Sequence, residues 1–435
     1  MAIRLLDNII FFTLSLIGVL FCIILKMVNL ISRKKFNPKY SEKKLLQFIH
    51  SFMEAIIDYG LSIDSDLNNY FTKVYTIFIP NTVYENKKLN FNSTHTIAQY
   101  CQHPNTYLKK IGLNKCNFLI NQCLMLKYSY HIIINENITL IRAQDPHFSG
   151  VFAYLLSWLT QRPYIIHLLQ NYDLAYTLIN GLSFPPFKFR IIEKTIESFI
   201  LKRAAYVSSS CENHKNYAIS RGVSPTKVFV IRTNIAPIHF LPPHERKNIK
   251  TQLNLDNKQI ILYVGRLHAI KYPYDILKAF SLVTQKHPLA HLVIIGSGPL
   301  AEDLKNLSKQ LEINNRFFFL GNKSQDELIH FYSSADIIIF GHAGGVSLVE
   351  ASLSETPIIA YSHDLAPEII GHNDRGLLAD FRDIEHLASH IDFLLTNMDI
   401  GKEIGKKARN YILAHYDKKT IIELELRMHQ KFITQ

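Results

Sequence analysis

Apolar positions along this chain follow three different patterns. From Asn8 to Leu25 they run together without a charged residue, and Lys26 closes the run. With residues 27–31 added, the stretch is long enough for one tilted membrane span. Arg33, Lys34 and Lys35 follow at once, so the positive-inside rule predicts that this flank, and everything after it, faces the cytoplasm. No small-residue cleavage site follows the run, which argues against a signal peptide. Residues 41–60 then carry a helical period, with Leu45, Phe48, Ile49, Phe52, Met53, Ile56 and Ile57 on one face. Lys39, Lys43 and Lys44 add a basic flank, either a solvated face or one laid on acidic headgroups.

A third pattern, short apolar strands alternating with helices, takes over downstream. Residues 73–79, 131–134 and 139–142 read as strands. From Asp145 the spacing predicts a helix through Trp158, a strand over 163–169, and a helix over 190–203 with Ile191, Ile192, Ile196, Phe199 and Ile200 inward. A strand over 206–209, a helix over 213–221 and a strand over 228–231 complete the first series. Pro237, Pro242 and Pro243 mark 233–243 as a linker. A fresh series follows, with strands at 259–264, 292–295, 317–320, 335–340 and 357–361 and helices at 275–284, 300–311 and 325–332. This alternation predicts an α/β protein: two Rossmann-like doubly wound domains facing a cleft, plus one N-terminal transmembrane helix.

Composition narrows the partners. The chain has 435 residues, 48% hydrophobic and 19% charged, enough to bury large cores and too apolar for a disordered chain. A net charge of +12 favours anionic partners: membrane phospholipid, nucleotide phosphates or nucleic acid. Nucleic acid is the least supported of these, because the sequence carries no zinc-ligand spacing, RNP motif or helix-turn-helix pattern. The five cysteines form no C-x-x-C pair and suit a reduced, cytosol-facing protein.

Three loops of the second series fall at strand ends, on one rim. Gly265-Arg266-Leu267, with Lys271 beyond it, offers two cations to a diphosphate. Gly296-Ser297-Gly298-Pro299 is a tight turn that lets a base or phosphate approach the backbone. The third loop runs through Gly341, Gly344 and Gly345 into a helix that starts near Val346 and continues Ser347, Leu348. Its backbone N–H groups suit a phosphate, and Glu350, one turn in, suits the hydroxyls of a ribose.

With these motifs in this order, residues 259–381 resemble the donor domain of GT-B glycosyltransferases of retaining family 4, the glycosyl transferases group 1. The signature is GRL with Lys271, GSGP, and the loop ending LVEASLSETPIIAY. The resemblance implies that Gly265, Arg266 and Lys271 hold the donor diphosphate, with Gly296 and Gly298 at the donor. It implies that Gly344, Gly345, Val346, Ser347 and Leu348 cap phosphate, and that Glu350 holds the ribose. It divides the chain into a membrane anchor (1–32), an acceptor-side domain (33–235), a nucleotide-sugar domain (236–415) and a C-terminal helix (416–435) that crosses back onto the first domain. Two departures stand out. His342 occupies the place of the first of the family's two spaced glutamates, which touches the donor sugar. On the acceptor side Leu169 falls where a histidine is expected, so His167, on the same strand face, is the substitute, with His147 as an alternative.

The expected catalytic set is therefore His167, Arg266, Lys271 and His342, with no metal and no cofactor beyond the nucleoside-diphosphate sugar. The implied activity is transfer of a sugar, with retention, to a lipid-linked or surface-polysaccharide acceptor such as lipopolysaccharide at the cytoplasmic membrane face. A catalytically degenerate membrane scaffold and a GT-B nucleotide-sugar epimerase are the alternatives.

Overall fold

The computed structural model describes residues 43–49, 70–78, 87–90, 95–99, 110, 112–179, 189–232, 235, 237–342 and 345–433. The predicted membrane anchor lies outside these residues. Among the described residues no helix is long and apolar enough to cross a membrane. The chain forms two compact units. The first contains the described residues up to 176, 180–231 and 422–435, and the second contains 177–179 and 232–421.

The first unit is built on an eight-stranded sheet in the order β3-β4-β2-β1-β5-β6-β7-β8. Its strands are β1 (Lys44–Ile49), β2 (Lys73–Phe78), β3 (Lys87–Asn90), β4 (His95–Gln99), β5 (Leu140–Ala143), β6 (Tyr164–Leu168), β7 (Val207–Ser209) and β8 (Val228–Val230). All neighbours are parallel except β3 with β4. The helices are α1 (Asn114–Asn135), α2 (Phe148–Thr160), α3 (Tyr172–Ile179), α4 (Arg190–Arg203) and α5 (Glu212–Ser220).

Three sequence expectations fail here. Residues 44–49 form a central strand, not part of a helix. Leu45, Leu46 and Phe48 are fully buried, and the Gln47 side chain donates to the Thr76 hydroxyl at 2.8 Å. A strand buried on both faces is a continuous apolar run, which periodicity alone does not separate from a helix face. Residues 131–134 lie inside α1, where the apolar run HIII is one turn of a 22-residue helix. In α4 the inward face is Glu193, Glu197, Ile200 and Leu201 rather than Ile191, Ile192 and Phe199, which are exposed.

The reversal in α4 has an electrostatic cause. Arg190 pairs with Glu193 (2.8 Å), Asp173 (2.9 Å) and Glu197, while the Arg221 Nε donates to Glu197 at 2.8 Å and its guanidinium also pairs with Asp173. His147 Nε2 meets Glu197 at 2.9 Å. Burial alone would raise the Glu197 carboxyl, but hydrogen bonds from His147, Arg190 and Arg221 bring it down to about 2. A buried carboxylate so fully paired is tolerated, whereas breaking one pair would leave an uncompensated charge.

Helix α13 (Lys418–Ile433) closes the first unit. Ile422 packs with Leu45, Phe71 and Val74, and Glu425 pairs with Arg142. His429 is fully buried and its Nδ1 bonds the Tyr206 hydroxyl at 2.9 Å.

The second unit has a six-stranded, wholly parallel sheet in the order β11-β10-β9-β12-β13-β14. Its strands are β9 (Gln259–Val264), β10 (Ala290–Ile295), β11 (Phe317–Phe319), β12 (Ile337–Phe340), β13 (Ile358–Tyr361) and β14 (Leu377–Ala379). Helices α6 (Pro273–Val283), α7 (Ala301–Gln310), α8 (Gln325–Ser334), α9 (Val346–Ser352), α10 (Ala366–Ile370), α11 (Ile384–Thr396) and α12 (Met398–His415) surround it. Strands β9, β10, β12 and β13 are almost wholly buried, as their Ile- and Val-rich runs require in a sheet covered on both faces. Because the strands are parallel, the loops leaving their C-terminal ends share one rim.

Candidate functional site

That rim holds a cavity of about 150 Å³ lined by Tyr263, Val264, Gly265, Arg266, Lys271, Phe340, Gly341, His342, Ser347 and Leu348. A whole drug-sized ligand needs roughly 300–1,000 Å³, so this space fits a fragment such as a diphosphate. Two cations face it, and none of its lining residues is a carboxylate.

Backbone packing sets the wall. Lys271 ends a short 3-10 turn, Ala269–Lys271, after which Tyr272 takes a left-handed conformation (φ 52°) and starts α6. A Cβ at Gly341 would sit 2.6 Å from the Lys271 carbonyl oxygen, so only glycine lets the β12 loop lie against this turn. The Gly-Ser-Gly turn serves the same purpose from the other side. A Cβ at Gly296 would lie 1.9 Å from the Gly265 carbonyl oxygen, and one at Gly298 would lie 2.3 Å from that of Leu267. Leu267 N–H donates to Ser297 O at 2.8 Å and Gly265 N–H to Ile295 O at 3.0 Å. Gly296 and Gly298 thus brace the arginine loop and do not line the cavity. Gly296→Ala is expected to destabilise the protein by roughly 3 kcal/mol or more, read in a denaturant melt; a wild-type midpoint would show that the two loops are not stacked.

Burial and the neighbouring Arg266 push the Lys271 amine down to about 8, against a smaller pull from Asp364. Its Nζ lies 3.5 Å from His342 Nδ1. Burial, then Lys271 and His363, hold His342 down to about 3, so this imidazole is neutral at any working pH.

Gly345 caps α9 with φ 111° and open space around its Cβ position. Ser347 and Leu348 line the cavity, Val346 does not, and Gly344 lies outside the described residues. Helix α9 has seven residues, so the cavity's positive charge rests on Arg266 and Lys271 rather than on a long helix dipole.

Glu350 is buried and does not line this cavity. Its Oε1 lies 3.5 Å from His239 Nε2. His239 Nε2 also meets Gln325 Oε1 at 2.6 Å, and Gln325 bonds Glu350 as well. Burial raises the Glu350 carboxyl to about 7, and the Gln325 hydrogen bond only partly offsets it.

Three neighbours escaped sequence reasoning. Gln325 opens α8 one residue after its Ser324 capping box, and His239 sits in the proline-rich linker. Neither position carries a signal. His363 does, because it follows β13 on the ligand-bearing rim. It is buried, and its ring lies 4.9 Å from that of His342 and 4.9 Å from that of Phe381. Its contact with the Gly341 backbone falls short of hydrogen-bond geometry, and neither ring nitrogen has a partner among the described residues.

In the first unit His167 lies on β6, with Nδ1 bonded to the Ser208 hydroxyl at 2.8 Å. Burial, Arg142 and His214 push it down to about 3. His147, its alternative, is committed to Glu197.

The family described as Glycosyl transferases group 1 matches residues 245–411, which hold the whole cation-lined cavity. The second unit belongs to the glycosyl transferases group 1. The chain is also similar to the GDP-mannose-dependent alpha-(1-6)-phosphatidylinositol monomannoside mannosyltransferase of Mycobacterium tuberculosis. That match is 27% identical over 184 residues, 40% of this chain and 48% of the relative. The chain spans about half the length of the curated relatives it matches (50% and 48%).

Among solved structures, HepE of Anabaena in complex with UDP and glucose superposes with a TM-score of 0.67 at 16% identity, over 89% of this chain and 100% of that one. Sucrose-phosphate synthase from Thermosynechococcus elongatus gives 0.69 at 16%, over 89% and 98%. These likenesses establish a two-domain α/β fold of GT-B type around the group 1 domain.

Proposed function

We propose that this protein is a glycosyltransferase that takes a sugar from a nucleoside-diphosphate donor. The observation that carries this reading is the cavity with Arg266 and Lys271 on its wall and no lining carboxylate, inside a group 1 domain. Bond breaking leaves charge on the departing diphosphate, and two cations already in place stabilise that charge without reorganisation. Arg266 offers paired N–H donors, and Lys271 a point charge that burial strengthens. Glu350 receives the ribose, and His342 stands against the sugar. Retention of configuration, independence of metal, a lipid-linked or surface-glycan acceptor and a cytoplasmic membrane site complete the proposal. The acceptor and location rest on the uncharged run from Asn8 to Leu25 with its basic flank. UDP and glucose in HepE, and GDP-mannose in the name of the mycobacterial relative, make UDP- and GDP-sugars the first donors to try.

A panel of UDP-, GDP- and ADP-sugars, read by thermal shift and by turnover, tests the reading. One donor is expected to raise the melting temperature and to be consumed, and no response to any of them overturns it. The scaffold alternative has one observation in its favour: neutral His342 in place of a carboxylate. Binding of UDP or GDP without turnover would establish that alternative. His342→Glu separates the two further, since restored or improved turnover marks a disabled site and unchanged kinetics mark a bystander.

A further inference from the structure

Helix α4 is amphipathic in reverse. Its only carboxylates, Glu193 and Glu197, are fully buried and held by Arg190, Arg221 and His147. Its outward face carries Ile191 (75% exposed), Ile192 (42%) and Phe199 (39%), with Phe189 (63%) just before the helix. The charged groups on that face are Lys202 and Arg203, both cationic and exposed, and at its edge Lys194 pairs with Asp173 at 3.1 Å. The Arg203 guanidinium lies 3.7 Å from the centre of the Phe199 ring, so the cation and the apolar surface form one patch. A helix facing only water has no reason to bury its acids and display its isoleucines, and exposed apolar patches of this kind mark interaction surfaces.

We propose that the outward face of α4 docks on an anionic phospholipid surface. Cations flanking large apolar side chains, with both of the helix's own acids turned inward, are what an interfacial helix needs: the apolar groups enter the headgroup boundary while Lys202 and Arg203 meet lipid phosphates. Had Glu193 and Glu197 pointed outward, they would repel that surface. The sequence carries the uncharged run from Asn8 to Leu25 ahead of these residues. A chain tethered there meets the bilayer at high local concentration, so a small, weakly binding face suffices. The inference rests on the membrane-facing part of the function proposed above and is independent of the donor chemistry.

The test uses the full chain, whose only tryptophan is Trp158. In a Trp158→Phe background, Ile191→Trp places a reporter on the patch, and Leu282→Trp, at a 59% exposed position on α6, is the control. Vesicles contain brominated lipid, either mixed phosphatidylglycerol and phosphatidylcholine or phosphatidylcholine alone. The reporter at 191 is expected to be strongly quenched by the anionic vesicles, far less by the neutral ones, and to recover when Lys202 and Arg203 are changed to Gln. The control stays unquenched. A chain that floats with the vesicles while the reporter at 191 stays unquenched overturns the docking face and leaves the anchor intact. Equal quenching by neutral vesicles also overturns it. Failure of the donor panel with quenching at 191 would sink the enzyme reading and leave this one standing.

Discussion

Replacing Glu350 by Gln is expected to stabilise the protein by roughly 2–3 kcal/mol at pH 8 while removing its response to donor. Burial holds this carboxyl near 7 in the folded chain, against an ordinary 4.5. Each pH unit of that difference is worth about 1.4 kcal/mol, and the estimate is discounted because Gln325 and the protein relax around the charge. The sign follows from linkage. Between pH 4.5 and about 7 the folded state holds a proton that the unfolded state has lost, so this group's contribution falls as pH rises through that window. A glutamine has no such proton. The gain in melting temperature should therefore be small near pH 4.5, grow through pH 7 and level off above it. At about 2–4 °C per kcal/mol for a unit of this size, the plateau is roughly 5–10 °C. A variant no more stable than wild type at pH 8 would show that the carboxylate is not desolvated as the geometry requires. The accompanying loss of donor-induced stabilisation is what makes the cost intelligible, because binding sites often carry groups that stability alone would remove.

The second unit was readable in the sequence because its signals are local. Glycines at 265, 296, 298, 341 and 345 punctuate Ile- and Val-rich runs, and in a parallel sheet a strand end is also a site position. The same reasoning placed Arg266, Lys271 and His342 together, as the cavity does. What the glycines are for was less visible. Gly296 and Gly298 meet carbonyls of the neighbouring loop rather than a ligand, a fact that depends on strand order and not on sequence spacing. Glu350 is held by Gln325 and His239, residues 25 and 111 positions away, and no motif links them. In the first unit α4 misled because Ile191, Ile192 and Phe199 obey helical period as well as a core face would. Only the partners of Glu193 and Glu197, which are Arg190 at the head of the helix, Arg221 just after α5 and His147 just before α2, show which face is inside.

A second large effect on binding is expected at Lys271. In the empty cavity its amine sits near 8 because water is excluded and Arg266 is close, although Asp364 offsets part of this. A diphosphate brings negative charge to the same wall and restores the ammonium, so binding must take up a proton wherever the empty site has lost one. At pH 8.5 about three quarters of the amine is neutral, and uptake approaches roughly 0.7 proton per UDP or GDP; at pH 7 it is about 0.1. His342 stays neutral across this range and does not contribute. Glu350 titrates near 7 and is already ionised at pH 8.5, so work at that pH isolates the lysine. Calorimetry in two buffers of different ionisation enthalpy measures the uptake. Lys271→Ala should weaken nucleoside-diphosphate binding about 100-fold, the scale of a charge-assisted contact with phosphate. Lys271→Arg supplies a cation that does not titrate below pH 12. It should bind within about tenfold of wild type and take up no proton. Uptake that persists in the Arg variant, or that is absent from wild type at pH 8.5, would mean that Lys271 does not face the diphosphate.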